Sequence, residues 1–192
     1  MGDKSVQKKK YIMERAREVF CKKGYKNVTM KDIVEACEIS RGGLYLYFSS
    51  TKEIFDALLE EDAANKKDLL ESESEQDYTP GDLLLLYLSN KKKEILDDNE
   101  LSKAMYEYSF EMGKNDNIVR KYFDDEVETV KKLITDGVEQ EWMVCDDISQ
   151  AAKDIVYAME GLKISSQTFG ISENEIDREI TYLLGLLGLE VE

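Results

Sequence analysis

Three helix-start signals crowd into residues 29–53, at Thr29, Ser40 and Ser50, with no proline among them. A small hydroxyl side chain ahead of an apolar-periodic run caps the free N–H groups of a new helix. Starts this close leave room only for short helices joined by tight turns. Asp32 follows Thr29 as a variant of the capping box, and Met30, Ile33, Val34 and Cys37 form an apolar stripe that ends near Glu38. Ser40 opens a third helix over residues 41–47, with Leu44 and Phe48 facing inward. Upstream, Ile12, Ala16, Val19 and Phe20 recur at helical spacing until Lys22-Lys23-Gly24, a helix C-terminus. Downstream, Ser50-Thr51-Lys52-Glu53 is a further capping box, behind which Ile54, Phe55, Leu58 and Leu59 launch a longer helix towards Leu70.

The rest of the 192 residues keeps the helical habit: Pro80 is the only proline, and leucine, glutamate and lysine dominate. The polar stretch 71–81 reads as a loop. Helices follow over 82–96, 100–112 and 117–140. Ile148, Ala151, Ala152, Ile155, Val156, Met159 and Leu162 then keep a three-four spacing, and Ser172-x-x-Glu175 opens a last helix bearing Ile176, Ile180, Leu183, Leu184 and Leu187. The fold class is all-α.

Charge narrows the function. The net charge is −15, yet residues 1–55 carry 12 Lys and Arg against 7 Asp and Glu, a balance of +5, and the remainder carries −20. Such asymmetry suits a polyanion at the N-terminal quarter, because the rest repels it, with an uneven but solvated surface as the bland alternative. The chain has no histidine, which removes His triads, His metal ligation and His acid–base chemistry; no metal and no cofactor are expected. Cys21, Cys37 and Cys145 match neither a disulfide framework nor a CxxC motif, and Cys21 and Cys37 fall on apolar faces. With no membrane-length apolar run and no signal-peptide pattern, the expected location is the cytoplasm.

Two short helices joined by a tight turn, packed on a longer one within the basic segment, make a helix-turn-helix candidate. Its second helix suits the major groove. Arg41 can contact guanine in a bidentate manner, Gly42 and Gly43 let the backbone approach the duplex, and Tyr45 and Tyr47 add hydroxyls. Lys31 sits at the start of the preceding helix. Lys52, in the first turn of its helix, opposes the macrodipole, a disadvantage that a nearby phosphate would reverse.

The run from Ile12 to Leu59 resembles the DNA-binding domain of the tetracycline-repressor (TetR) family of transcriptional regulators. Its marks are Ala16-x-x-x-Phe20-x-x-x-Gly24-Tyr25, then Thr29 with Ile33, then Ser40-Arg41-Gly42-Gly43-Leu44-Tyr45 leading to Tyr47-Phe48. The resemblance implies a helix-turn-helix domain over residues 1–50 and a helical ligand-binding and dimerisation domain over 51–192. It implies base contacts from Lys31, Arg41, Gly42 and Tyr45, and backbone contacts from Thr29, Gly43, Tyr47 and the start of the fourth helix, with Ser40 capping between them. Two positions depart from the family pattern. Glu38 stands where the family has the turn glycine, and the phosphate-contacting lysine position holds Thr51, with Lys52 one place later.

The expected partners are an operator duplex, a second copy of the chain and a small-molecule inducer. One short recognition helix reads few bases, so two copies on a palindromic operator are expected, joined through Ile155, Met159, Leu162, Ile176, Ile180, Leu183, Leu184 and Leu187; a monomeric core is the bland alternative. Tyr87, Met105, Tyr106, Phe110, Tyr122, Phe123 and Trp142 serve equally as core or as lining of a ligand cavity, and the resemblance favours the cavity. Glu107 and Glu111 beside such aromatics suit a lipophilic or cationic inducer. The expected function is thus a ligand-released repressor rather than an enzyme; the alternative is a helical interaction module without DNA contact.

Overall fold

The computed structural model describes residues 2–74, 78–97, 101–113 and 118–190, with the side chains of all but 2–3 and 67–74. The described residues form helices α1 (Gly2–Lys23), α2 (Met30–Cys37), α3 (Arg41–Tyr45), α4 (Thr51–Ser74), α5 (Pro80–Leu96), α6 (Ser102–Met112), α7 (Ile118–Glu139), α8 (Ile148–Thr168) and α9 (Glu173–Gly185), and no strand. They fall into two compact units, one of residues 1–66 and 99–119 and the other of 67–98 and 120–192. The first unit therefore includes α6, which lies outside the 1–50 segment expected to bind DNA.

In the first unit the core is aromatic. Phe20, Tyr25, Phe55 and Tyr108 meet at ring-centroid distances of 4.8–5.2 Å, with Phe20 against Phe55 and both Tyr25 and Phe55 against Tyr108. Ile12, Ala16, Ile33, Leu44, Ile54 and Leu58 are buried around them. Gly24, at φ +73°, ends α1 in the left-handed region, and a Cβ there would stand 2.5 Å from the Glu107 carboxylate. That carboxylate also accepts the Lys26 N–H at 3.2 Å, so glycine lets α6 lock onto the end of α1.

The capping signals operate as the residues suggest, with two adjustments. Thr29 and Asp32 form a reciprocal box at α2, as Ser172 and Glu175 do at α9. At α4 the Ser50 hydroxyl accepts the Glu53 N–H at 3.1 Å, but the Glu53 carboxylate reaches one residue further back, to the Ser49 N–H and hydroxyl. The stretch 71–81 is not a loop throughout. α4 continues to Ser74, and Thr79 caps α5 through Asp82 with Pro80 in the first turn, where its missing N–H costs nothing. Residues 75–77 lie outside the described residues.

The second unit buries Leu84, Leu88, Val130, Ile134, Ile155, Met159, Ile176, Ile180 and Leu184 between α5, α7, α8 and α9. Two lysines are buried with them. Lys91 contacts Glu126 directly and lies 3.8 Å from Glu94, and Lys163 lies 3.9 Å from the same Glu94. No helix of the described residues is long and apolar enough to cross a membrane.

The turn between α2 and α3 is made by Glu38 at φ 51°, ψ 41°. A side chain there meets the steric penalty of the left-handed region, about 1–2 kcal/mol, part of which glycine loses again to its freer unfolded chain. Glu38→Gly is therefore expected to raise stability by roughly 0.5–1 kcal/mol, read as a higher urea midpoint at unchanged m-value.

Candidate nucleic-acid interface

The recognition segment begins at Ser40, whose extended backbone (φ −70°, ψ 153°) and hydroxyl cap α3 by accepting the Gly43 N–H at 3.0 Å. Its own hydroxyl proton remains for an outside acceptor. Leu44 and Phe48, buried at 0% and 1%, anchor the helix from beneath. Arg41, Gly42 and Tyr45 consequently point outward and are exposed, while Gly43 and Tyr47 are half-buried. Among the described residues no carboxylate pairs with Arg41, whose guanidinium lies 5.7 Å from the Tyr45 ring centroid. A planar guanidinium resting on an aromatic face keeps its fork of N–H donors for base or phosphate oxygens.

At α2 the picture is more mixed. Lys31 projects into solvent with 83% of its side chain exposed and only a loose 3.6 Å approach to Glu35. Thr29 is exposed, but its hydroxyl donates to Asp32 at 2.7 Å while accepting the Asp32 N–H at 3.3 Å. Its proton is engaged in the cap. The Asp32 carboxyl is held down to about 2 by Lys23, 2.6 Å away, and then by Thr29.

Lys52 answers to partners inside the chain. Its ammonium lies 2.8 Å from Asp56 and 5.7 Å from the Tyr108 ring centroid, and the Tyr108 hydroxyl donates to Asp56 at 2.7 Å. Asp56 raises the lysine's ionisation, and burial followed by Asp56 pushes the Tyr108 phenol up to about 12. The macrodipole disadvantage of Lys52 is thus met by a carboxylate one turn on. Thr51 is half-buried at the first position of α4.

The other expected sites are arranged differently from the sequence-based expectation. Met105, Tyr106 and Phe110 belong to the first unit, and Tyr87, Tyr122, Phe123 and Trp142 to the second. Phe110 is 84% and Trp142 52% exposed, so neither lines an enclosed cavity. Glu107 is occupied at Gly24 and Lys26, and Glu111 is exposed. Ile155, Met159, Ile176, Ile180, Leu183, Leu184 and Leu187 are buried within the single chain, and Leu162 is partly buried against the same core. The apolar stripes of α8 and α9 therefore build the inside of the unit. Their opposite faces carry Tyr157 (57% exposed), Ile164, Tyr182 (62%) and Leu186.

Residues 12–58 match the family model described as "Bacterial regulatory proteins, tetR family". The chain is 31% identical over 157 residues to the uncharacterized HTH-type transcriptional regulator YfiR of Bacillus subtilis, covering 79% of this chain and 76% of that one. The chain belongs to the tetR family. It is a DNA-binding transcriptional regulator, not an enzyme. Over 63 residues, 33% of this chain and 34% of the other, it is 40% identical to the HTH-type transcriptional repressor AcnR of Corynebacterium efficiens. A TetR-family regulator from Agrobacterium tumefaciens shares the fold, with a TM-score of 0.80 at 14% identity, covering 95% of this chain and 98% of that one.

A Cβ at Gly42 would have nothing within 4 Å, so packing places no demand for glycine at this position. Gly42→Ala is expected to stabilise the chain by up to about 1 kcal/mol while weakening DNA binding, because the added methyl meets the duplex. Thermal melts paired with fluorescence anisotropy on labelled duplex check both signs.

Proposed function

We propose that the chain is a homodimeric repressor that holds a palindromic operator and releases it when a small molecule binds the helical region. The observation that carries the operator reading is the outward cluster of Arg41, Gly42 and Tyr45 over a buried Leu44 and Phe48. Lys31, Arg41, Gly42 and Tyr45 read bases; Ser40, Gly43 and Tyr47 hold the backbone, and Thr29, whose N–H and hydroxyl are bound by Asp32, joins them only where a phosphate displaces that carboxylate. Thr51, not Lys52, meets phosphate at the start of α4, since the Lys52 ammonium is held by Asp56. The division of labour assigns DNA contact to residues 1–50 and ligand binding and dimerisation to 51–192, with α6 the part of the latter that packs beside the DNA-binding helices. Such a regulator works in the cytoplasm, where its operator is. The repressor sense follows the similarity to a relative named a repressor.

Dimerisation is assigned to the outer faces of α8 and α9. Tyr157, Gly161, Ile164 and Thr168 recur at helical spacing on α8, and Arg178, Tyr182, Gly185 and Leu186 on α9, all exposed in the single chain. Two such helices against their copies give a four-helix interface, and Gly161 within the α8 stripe permits close approach. The inducer is a lipophilic or cationic molecule. The Tyr87 hydroxyl is buried without a hydrogen-bond partner, a polar point that a ligand could satisfy, while the Lys91 ammonium, 5.7 Å from its ring centroid, already answers Glu94 and Glu126.

Enrichment from a random duplex pool tests the function directly: the expected product is a two-fold symmetric site, and a pool left unenriched would refute operator recognition. On the enriched duplex Arg41→Ala is expected to cost ~1–3 kcal/mol and to relax preference at one base pair per half-site. Sedimentation of Ile164→Glu/Tyr182→Glu is expected to give a folded monomer that binds the full operator far more weakly than wild type does. A dimer persisting in that variant would move the interface elsewhere.

A further inference from the structure

α1 begins well before the shared family motif. The family model starts at residue 12, whereas the helix is continuous from Gly2, so nearly three turns that carry Lys4, Lys8, Lys9 and Lys10 precede the matched residues. Among the described residues none of these four lysines forms an ion pair. Elsewhere in the unit Arg15 pairs with Glu18, Arg17 with Asp62, Lys23 with Asp32 and Lys52 with Asp56. Arg41 and the lysines that open α1 thus carry positive charge outside any ion pair among the described residues.

These lysines do not all face the same way. Successive helix positions turn by about 100°, which sets Lys4, Lys8, Tyr11 and Arg15 along one edge, Lys9 in line with the buried face, and Lys10 round on the side of Glu14 and Arg17. Contacts fix the first two. The Tyr11 hydroxyl donates to the Cys37 carbonyl at 3.2 Å, tying this edge of α1 to the end of α2, and the Lys8 ammonium lies 4.5 Å over the Tyr11 ring. The Lys9 ammonium lies 5.3 Å from the ring centroid of Phe48, the residue that follows the recognition helix by one turn. The carboxylate near Lys9, that of Glu53, is already bound to the Ser49 N–H and hydroxyl at 2.6 and 2.7 Å. Two unneutralised ammoniums are thus held beside the two ends that flank the recognition segment, the end of α2 and the start of α4.

We infer that the first turns of α1 form a second DNA-contacting element, in which Lys8 and Lys9, with Lys4 behind them, grip backbone phosphates flanking the half-site. A ring face takes up none of an ammonium's N–H donors as a carboxylate would, so Lys8 and Lys9 keep donors for a phosphate oxygen. Phosphate contacts of this kind add affinity and register without reading sequence. The proposal rests on the DNA-binding assignment, and Lys10 supplies its control, since it carries the same charge at the same end of the helix on another face.

The experiment is anisotropy at several salt concentrations with a mixed-sequence duplex and with the enriched operator, using Lys8→Gln, Lys9→Gln, the pair, and Lys10→Gln. Each phosphate contact contributes roughly 0.9 to the slope of log K against log salt. The pair is expected to flatten the slope by roughly 2 and to weaken binding some tens of fold at ~0.1 M salt, leaving the order of base preferences intact. Lys10→Gln is expected to change the slope by less than half as much as either single variant. Equal changes from Lys10→Gln and from Lys8→Gln or Lys9→Gln would mean a diffuse field rather than contacts, and would overturn the proposal. So would an unchanged slope in the pair. Absence of wild-type binding to either duplex would instead overturn the DNA-binding assignment, and this inference with it. Unaltered circular dichroism melts of each variant exclude misfolding as the cause.

Discussion

Helices of eight and five residues, the lengths of α2 and α3, do not persist in water by themselves, because nucleation costs more than so few hydrogen bonds return. Everything the first unit does depends on burying one face of each against α1 and α4. Ile33 and Cys37 from α2, and Leu44 from α3, go to within 2% of complete burial. The aromatic cluster of Phe20, Tyr25, Phe55 and Tyr108 holds the floor on which they rest. The outward residues are then presented by default: once Leu44 and Phe48 face in, Arg41, Gly42 and Tyr45 have nowhere else to point.

The same constraint explains how charge is distributed. A lysine that helps hold the unit together finds a carboxylate, as Lys23 finds Asp32 and Lys52 finds Asp56. Among those without one, Arg41, Lys8 and Lys9 rest on aromatic rings. Such seating orients a cation without neutralising it. Net charge alone, at −15, points away from nucleic acid, and only the position and pairing of each cation restore the sign of the surface that meets DNA.

Local signals were the legible part of this chain. Thr29, Ser40, Ser50 and Ser172 mark helix starts through bonds made within four residues, so sequence alone identifies them. Long-range pairing left no such trace. Nothing in the sequence ties Glu107 to Gly24, 83 positions away, or Tyr108 to Asp56, and α6 therefore joined the DNA-binding helices unannounced. The start of α5 was readable in principle, from Thr79-Pro80 with Asp82, but the surrounding polar residues suggested a loop. The stripes of α8 and α9 illustrate a further limit. Periodicity reveals that a helix has an apolar face and is silent on whether its own chain or another covers it.

That silence bears on the second unit, whose function depends on what its interior will tolerate. Lys91 and Lys163 sit among Leu84, Leu88 and Ile155 with Glu94 and Glu126 beside them. Buried ion pairs seldom repay their desolvation, and apolar side chains of like volume often serve stability better. Retaining charge there makes sense if the network must rearrange around something polar, and the Tyr87 hydroxyl, buried beside Glu126 without a hydrogen bond, is the open place in it. Under the proposed release by a small molecule, a ligand that satisfies this hydroxyl would shift the equilibrium of the unit only by the difference between its contacts in the two conformers. On that proposal the strength of induction would be set by how poorly the ligand-free network satisfies itself, not by how tightly the ligand is held overall.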